Sequence, residues 1–218
     1  SIENRARILL EIIKLIKSNV GDHFAIAVKL NSADFQRGGF DIDDAQAVVD
    51  LLAEYKLDFI ELSGGSYEAP AMQGKTADER TLAREAYFLD FAAKIAKSAT
   101  TPIMVTGGIK RLAIAEQALE ENVQLVGMAT ALAMSPNLPN IWQKSPEYIG
   151  QIPVVNWKDK TMSGLATMAI VKRQLKRLGN GKAPKTSLSP FCSLVKDQIN
   201  KAKLTKRYRK LHQAELKI

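Results

Sequence analysis

Cysteine occurs once in the 218 residues, at Cys192, so no disulfide forms within the chain and an intracellular, cytoplasmic protein is the expectation. Long apolar runs are missing as well. The strongest stretches, such as Gly164 to Val171, fall far short of the roughly 20 residues that span a bilayer, and no membrane segment is expected. The first seven residues are charged and helix-forming and lack the apolar centre and small-residue cleavage site of a secretory signal. Histidine is scarce, with only His23 and His212, and neither a metal-ligand cluster nor a Ser-His-Asp arrangement is visible. What remains is ordinary for a globular protein: 46% hydrophobic and 25% charged residues.

The net charge of +8 is unevenly placed. Residues 158–218 hold 16 Lys or Arg against Asp159, Asp197 and Glu215, a balance of +13 that leaves −5 for residues 1–157. Such a tail suits nucleic acid, an anionic cofactor or an acidic surface of its own protein.

Residues 4–18 put Ile8, Leu9, Ile12, Ile13, Leu15 and Ile16 on one broad face of an amphipathic helix. Phe24 to Leu30 is a nearly continuous apolar run, as in a strand buried on both faces. Asp41 is placed to cap a helix carrying Ile42, Ala45, Val48, Val49 and Leu52. The unit then repeats. A strand at Leu57 to Leu62 leads through Ser63-Gly64-Gly65 and a long loop to a helix at Thr81 to Ser98, which buries Leu82, Phe88, Phe91, Ala92 and Ile95. A strand at Pro102 to Thr106 leads to a helix with Leu112, Ala115, Ala118 and Leu119, and Gln124 to Met128 forms a fourth strand.

Strands separated by helices imply right-handed crossovers and a parallel sheet. Four units in about 135 residues make half of a (β/α)8 barrel, which takes about 250 residues, and a start at a helix without Met suggests that a preceding half is absent. A small doubly wound sheet is the alternative. Farther on, Thr161 to Leu178 reads as a helix with Leu165, Met168, Ala169, Val171, Lys172 and Leu175 along it, stopped by Gly179-Asn180-Gly181. Residues 182–218 form a basic extension of one or two helices. The expected division is therefore 1–181 and 182–218.

The glycines carry the chemistry. Val105-Thr106-Gly107-Gly108-Ile109 closes the third strand, and Val126-Gly127-Met128-Ala129-Thr130-Ala131 closes the fourth and opens a short helix. Backbone N–H groups at such strand ends and helix starts suit a phosphate, as in the loops after the last two strands of many barrels. The plainer reading is that these glycines only permit tight turns.

Together with Ser1-Ile2-Glu3-Asn4-Arg5-Ala6-Arg7, Val28-Lys29-Leu30-Asn31-Ser32-Ala33-Asp34-Phe35, Glu61-Leu62-Ser63-Gly64-Gly65 and Pro136-Asn137-Leu138-Pro139-Asn140, the Val105 to Ile109 segment resembles, in order, successive motifs of the old yellow enzyme (NADH:flavin oxidoreductase) family. The resemblance covers about residues 1–180. It implies the C-terminal half of a TIM barrel, strands five to eight, with FMN at the barrel mouth and NADH or NADPH as reductant. The implied reaction is hydride delivery from reduced flavin to an activated alkene or similar acceptor.

Carried over by position, Lys29 stands where the family usually has an Arg beside the flavin ring. A cation there stabilises the charge that develops on reduction, although Lys lacks the planar fork of Arg. The resemblance places Ser63 and Gly64 near the flavin and its ribityl chain, and Thr106, Gly107 and Gly108 at its phosphate. The fourth-strand motif departs from the family. Many relatives read Gly-Leu-Gly-Arg where this chain reads Gly127-Met128-Ala129-Thr130, so the bidentate Arg clamp is lost and the Thr130 hydroxyl and helix-start N–H groups are left to hold the phosphate.

The family's substrate-binding His pair or His-Asn pair and its proton-donating Tyr would lie before Ser1. Expected partners are therefore the small-molecule acceptor and the missing N-terminal half-barrel, with self-association as a further expectation. His23 and His212 read as surface residues, Trp142 and Trp157 as packing residues, and Tyr67, Glu68 and Met72 as part of a variable loop. Lys172-Arg173 and Lys176-Arg177 read as a solvated basic stripe. Two other functions compete: an aldolase-type barrel with Lys29 as Schiff-base nucleophile, and a nucleic-acid module using the basic tail, which lacks aromatic interleaving.

Overall fold

The computed structural model describes residues 1–34, 37–64 and 88–215. Phe35, Gly65, Tyr67, Glu68, Met72 and Leu82 lie outside the described residues. By packing, the chain divides into two compact units. The first comprises Ser1–Ala129 and Pro139–Ile149, and the second Thr130–Leu138 and Gly150–Ile218.

In the first unit, helix α1 (Ile2–Asn19) starts on Ser1, whose side chain accepts from the Asn4 backbone N–H. It buries only Ala6 and Ile13, and leaves Ile8, Ile12, Leu15 and Ile16 exposed. The apolar face expected from the sequence is thus present, but little of the chain covers it.

Strand β1 (Ala27–Asn31) begins three residues later than the apolar run. A turn, closed by the Phe24 N–H on the Gly21 carbonyl at 2.9 Å, holds residues 21–24 out of the sheet and leaves Phe24 exposed. The expectation of burial on both faces also fails. Val28 is buried, whereas Ala27 and Lys29 are exposed.

Helix α2 (Ile42–Leu52) starts where its cap predicts. The Asp41 carboxylate accepts from the Asp43 and Asp44 N–H groups, both at 3.0 Å, satisfying donors that the first turn of a helix leaves unpaired. Its buried face is Ala45, Val48, Val49 and Leu52. A 3-10 turn (Ala53–Tyr55) leads to β2 (Phe59–Ser63). Helix α3 (Leu89–Ala96), strand β3 (Ile103–Thr106), helix α4 (Leu112–Glu120) and strand β4 (Leu125–Gly127) follow. Helix α3 packs on β3 and α4 on β4. In α4, Ala115 and Ala118 are buried while Leu119, on the same predicted helix, is exposed.

The four strands form one parallel sheet in chain order, β1-β2-β3-β4. Right-handed crossovers between successive neighbours put the connecting helices on a single face. A doubly wound sheet reverses direction at a switch point and carries helices on both faces, so that alternative is set aside. Burial agrees: Val28, Ile60, Leu62, Ile103 and Val105 are buried on one face, while Lys29, Glu61, Met104 and Leu125 on the other retain exposure. The result is an α/β fold with a parallel sheet, consistent with part of a TIM barrel.

Helix α5 (Thr130–Met134) belongs to the second unit, and α6 (Leu138–Lys144) runs across the boundary in the chain. Within the first unit, Trp142 is buried and donates its indole N–H to the Tyr148 carbonyl at 2.9 Å, a packing residue as expected.

The second unit is centred on α7 (Lys160–Gly179) and α8 (Pro190–Glu215), which pack together. Val155, Ala166 and Ile170 form a small core with Trp157 and Leu188 against it. The buried face of α7 is Ser163, Ala166, Ala169, Ile170 and Gln174, and of the expected set Leu165, Met168 and Leu175 are exposed. A buried amide decides this orientation. Gln174 donates to the Lys185 carbonyl and accepts from the Lys185 N–H, so both ends of a fully buried side chain are satisfied.

The basic stripe is likewise more engaged than a solvated face. Lys172 pairs with Asp197, Arg173 donates to the Ser193 hydroxyl and Arg177 donates twice to the Ala183 carbonyl. Helix α7 ends as its glycines predict. The Gly181 N–H reaches the Leu178 carbonyl and the Lys182 N–H the Arg177 carbonyl, with Gly181 at φ +67°.

Candidate functional site

Because the strands are parallel and in register, their C-terminal ends form one rim, the place where ligands bind in parallel α/β sheets and barrels. The register sets Lys29 beside Glu61 and Asn31 beside Ser63. It then sets Glu61 beside Met104 and Thr106 beside Gly127. Side chains of parallel neighbours share a face, so Lys29, Asn31, Ser63, Thr106 and Gly127 all lie on the face away from the helices, with Lys29 one layer below the rim.

Lys29 forms an ion pair with the Glu61 carboxylate across the β1–β2 ladder. Its side chain is half exposed and that of Glu61 is 22% exposed. Such a pair adds little to stability, but it fixes where the ammonium sits. Glu61 was not singled out from the sequence. A carboxylate within the apolar strand was the only sign, and its meaning rests on the register with Lys29.

At the end of β1 the Asn31 amide donates to Asp34 at 2.5 Å, and Asp34 closes the following loop by accepting from the Phe40 N–H at 3.1 Å. Among the described residues, neither the Asn31 Oδ1 nor the hydroxyl of the fully buried Ser32 has a hydrogen-bond partner. A buried polar atom without a partner is costly unless something binds it. Asn31, Ser32 and Asp34 were legible as a polar cluster after an apolar strand, but not as site residues. The Ser32 N–H donates to the Ser63 carbonyl at 2.6 Å, joining the ends of β1 and β2. Ser63 and Gly64 are both buried.

At the end of β3, buried Thr106 donates its hydroxyl to the Gly127 carbonyl at 3.2 Å. The chain then turns through Gly107 at φ +125° and Gly108 at φ +73°, conformations that are cheap only for glycine. The two glycines leave backbone without side chains at the rim. Gly127 has a packing reason of its own. A Cβ there would stand 2.5 Å from the Met104 methyl and 3.1 Å from the Thr106 Cβ and Oγ1. Met128 is half-buried and Ala129 exposed. Thr130 opens α5 in the second unit.

Of the residues expected from the sequence, the sheet therefore brings together Lys29, Ser63, Thr106 and Gly127. Gly64, Gly107, Gly108, Met128 and Ala129 follow directly from strand ends. His23 is exposed before β1, at the opposite end of that strand, and exposed His212 stacks on Tyr208 in α8. Among the described residues no helix is long and apolar enough to cross a membrane.

Residues 1–147 match the family described as NADH:flavin oxidoreductase / NADH oxidase. The NADH-dependent flavin oxidoreductase iccE of Talaromyces variabilis is 32% identical over 155 residues, 66% of this chain and 36% of its own length. The NADH-dependent flavin oxidoreductase nadA of Aspergillus parasiticus is 31% identical over 187 residues, 84% of this chain and 40% of its own. An NADH oxidase of Thermoanaerobacter brockii is 26% identical over 140 residues, 64% of this chain and 21% of its own. The chain thus spans well under half the length of each of these relatives.

Proposed function

The chain belongs to the NADH:flavin oxidoreductase / NADH oxidase family, and on that premise we propose that it is the FMN-holding part of an NAD(P)H-dependent oxidoreductase. Residues 1–181 correspond to strands five to eight of a (β/α)8 barrel and its outer helices, and residues 182–218 to an added basic segment. An N-terminal half-barrel, carrying the substrate-activating residues, completes the enzyme. The free, exposed Cys192 fits a reducing compartment, the cytoplasm.

The observation that carries this reading is the rim, where polar side chains and glycines stand at the ends of all four strands, with the Lys29–Glu61 pair one layer below. The residues fit FMN. The Asn31 Oδ1 on the rim face, unpartnered among the described residues, calls for a polar ligand, and the Gly107-Gly108 backbone admits close approach of a phosphate.

When bound, the flavin supplies hydride transfer from NADH or NADPH to an activated alkene or similar acceptor. The chain's residues supply position and charge. Lys29, held by Glu61, places a cation where negative charge develops on reduction. Ser63 and Gly64 line the approach to the ring and ribityl chain. Thr106, tied to β4 through the Gly127 carbonyl, steadies the turn whose Gly107 and Gly108 N–H groups hold the phosphate. Gly127, Met128, Ala129 and Thr130 follow β4 and contribute the second phosphate-binding segment.

Titrating the 218-residue chain with FMN and with riboflavin tests this directly. A phosphate-holding chain binds FMN at least about tenfold more tightly, roughly 1.4 kcal/mol. Equal affinities would remove the phosphate assignment. Borohydride trapping of a carbonyl compound on Lys29, without flavin binding, would favour the aldolase-type chemistry instead.

A further inference from the structure

We propose that the C-terminal half of α8 is a surface-seeking helix that docks on an anionic phospholipid bilayer. Every residue from Gln198 to Gln213 is helical and exposed. This stretch contains Lys201, Lys203, Lys206, Arg207, Arg209 and Lys210 and no carboxylate. Among the described residues, none of the six cations is ion-paired, in contrast to Lys172 on α7, which is held by Asp197.

The cations also crowd one another. Lys203 stands three and four residues before Lys206 and Arg207, Lys206 likewise before Arg209 and Lys210, and Arg207 three before Lys210, spacings at which like charges repel on a helix. Leu204, Tyr208 and Leu211 recur at i, i+4 and i+7 to make an apolar seam, and they are 65%, 68% and 58% exposed. Helical spacing puts Lys203 and Arg207 on one flank of that seam and Lys201 on the other.

A helix of this length, with its seam in water and its charges unopposed, is marginal by itself. Its partner has to cover the seam and neutralise the cations together. Duplex nucleic acid supplies phosphates but leaves the seam in water. A second copy of the helix covers the seam but brings six more cations. An anionic bilayer covers the seam and meets the cations beside it: its headgroups receive the flanking Lys201, Lys203 and Arg207 side chains, Leu204 and Leu211 enter the acyl boundary, and Tyr208 sits at the interface with its ring buried and its hydroxyl wet.

Sedimenting the whole chain with vesicles of phosphatidylcholine, alone or with about a quarter phosphatidylserine, tests the proposal. Binding is expected only to the anionic vesicles and is expected to weaken as salt rises. Each cation near such a surface contributes about fivefold, so Lys203→Glu with Arg207→Glu lowers partitioning by at least about 25-fold. Leu204→Ser with Leu211→Ser lowers it as well, at unchanged charge. All four positions are exposed, and far-UV circular dichroism checks that both variants keep the fold. Equal partitioning to both kinds of vesicle, no binding to either, or an unaffected seam variant would overturn it. So would binding to a nucleic-acid duplex that is tighter than to vesicles and indifferent to the seam.

Discussion

Lys29 is the residue on which site and stability separate most cleanly. Its ammonium rests on the Glu61 carboxylate, but the side chain is half exposed, so losing the pair costs the fold about 0–1 kcal/mol. Lys29→Met is therefore expected to leave the unfolding midpoint nearly unchanged while loosening FMN about tenfold, whereas Lys29→Arg keeps the affinity; flavin fluorescence quenching measures both. At the other end of the proposed cofactor, the resemblance implies that Thr130 stands where many relatives carry a phosphate-pairing Arg. Thr130→Arg is expected to raise FMN affinity about tenfold and to leave riboflavin binding unchanged, because a guanidinium fork adds a charge-assisted contact to phosphate alone. A flat response would mean that Thr130 does not face the phosphate. Lys29 could be read as a candidate cation from its strand and motif. Glu61, Asn31 and Ser32 could not be read as members of the site, since their roles depend on which residues the register and burial place beside them.

At the scale of elements, capping and turn chemistry were the most legible features, because they act over three to five residues. Asp41 starts α2 by accepting two backbone N–H groups, and Asp41→Ala is expected to destabilise the chain by about 0.5–2 kcal/mol, read from the shift of a urea unfolding curve. The Gly179-Asn180-Gly181 stop likewise appears as a C-terminal cap with Gly181 at φ +67°. Helix faces were less legible. The apolar residues of α7 make more than one stripe, and burial of the doubly bonded Gln174 selects the one with Ala166 and Ile170, leaving Leu165, Met168 and Leu175 outside. Strand β1 starts late for a similar reason: a hydrogen-bonded turn claims residues that hydropathy assigns to the sheet.

For the molecule as a whole, the exposed set on α1 is the most consequential feature. Ile8, Ile12, Leu15 and Ile16 line one side of a helix that buries only Ala6 and Ile13, and among the described residues β1 has a hydrogen-bonded neighbour on one side only. Apolar faces and open sheet edges of this kind promote association. The isolated chain is expected to self-associate at micromolar concentration, and Ile12→Glu with Leu15→Glu to shift it toward monomer, which sedimentation velocity resolves. A monomeric parent chain would show that this surface tolerates water.

The sequence by itself determined the alternation of strands and helices, the caps and stops, the family motifs and the glycines at the strand ends, because each depends on residues close together in the chain. Tertiary structure alone decided that the strands run in order with their helices on one face, that Lys29 meets Glu61, that two polar atoms at the end of β1 find no partner among the described residues, and that half of α8 stands in solvent. These are relations between residues tens of positions apart, set by register and by what each face finds to pack against, and no local pattern encodes them.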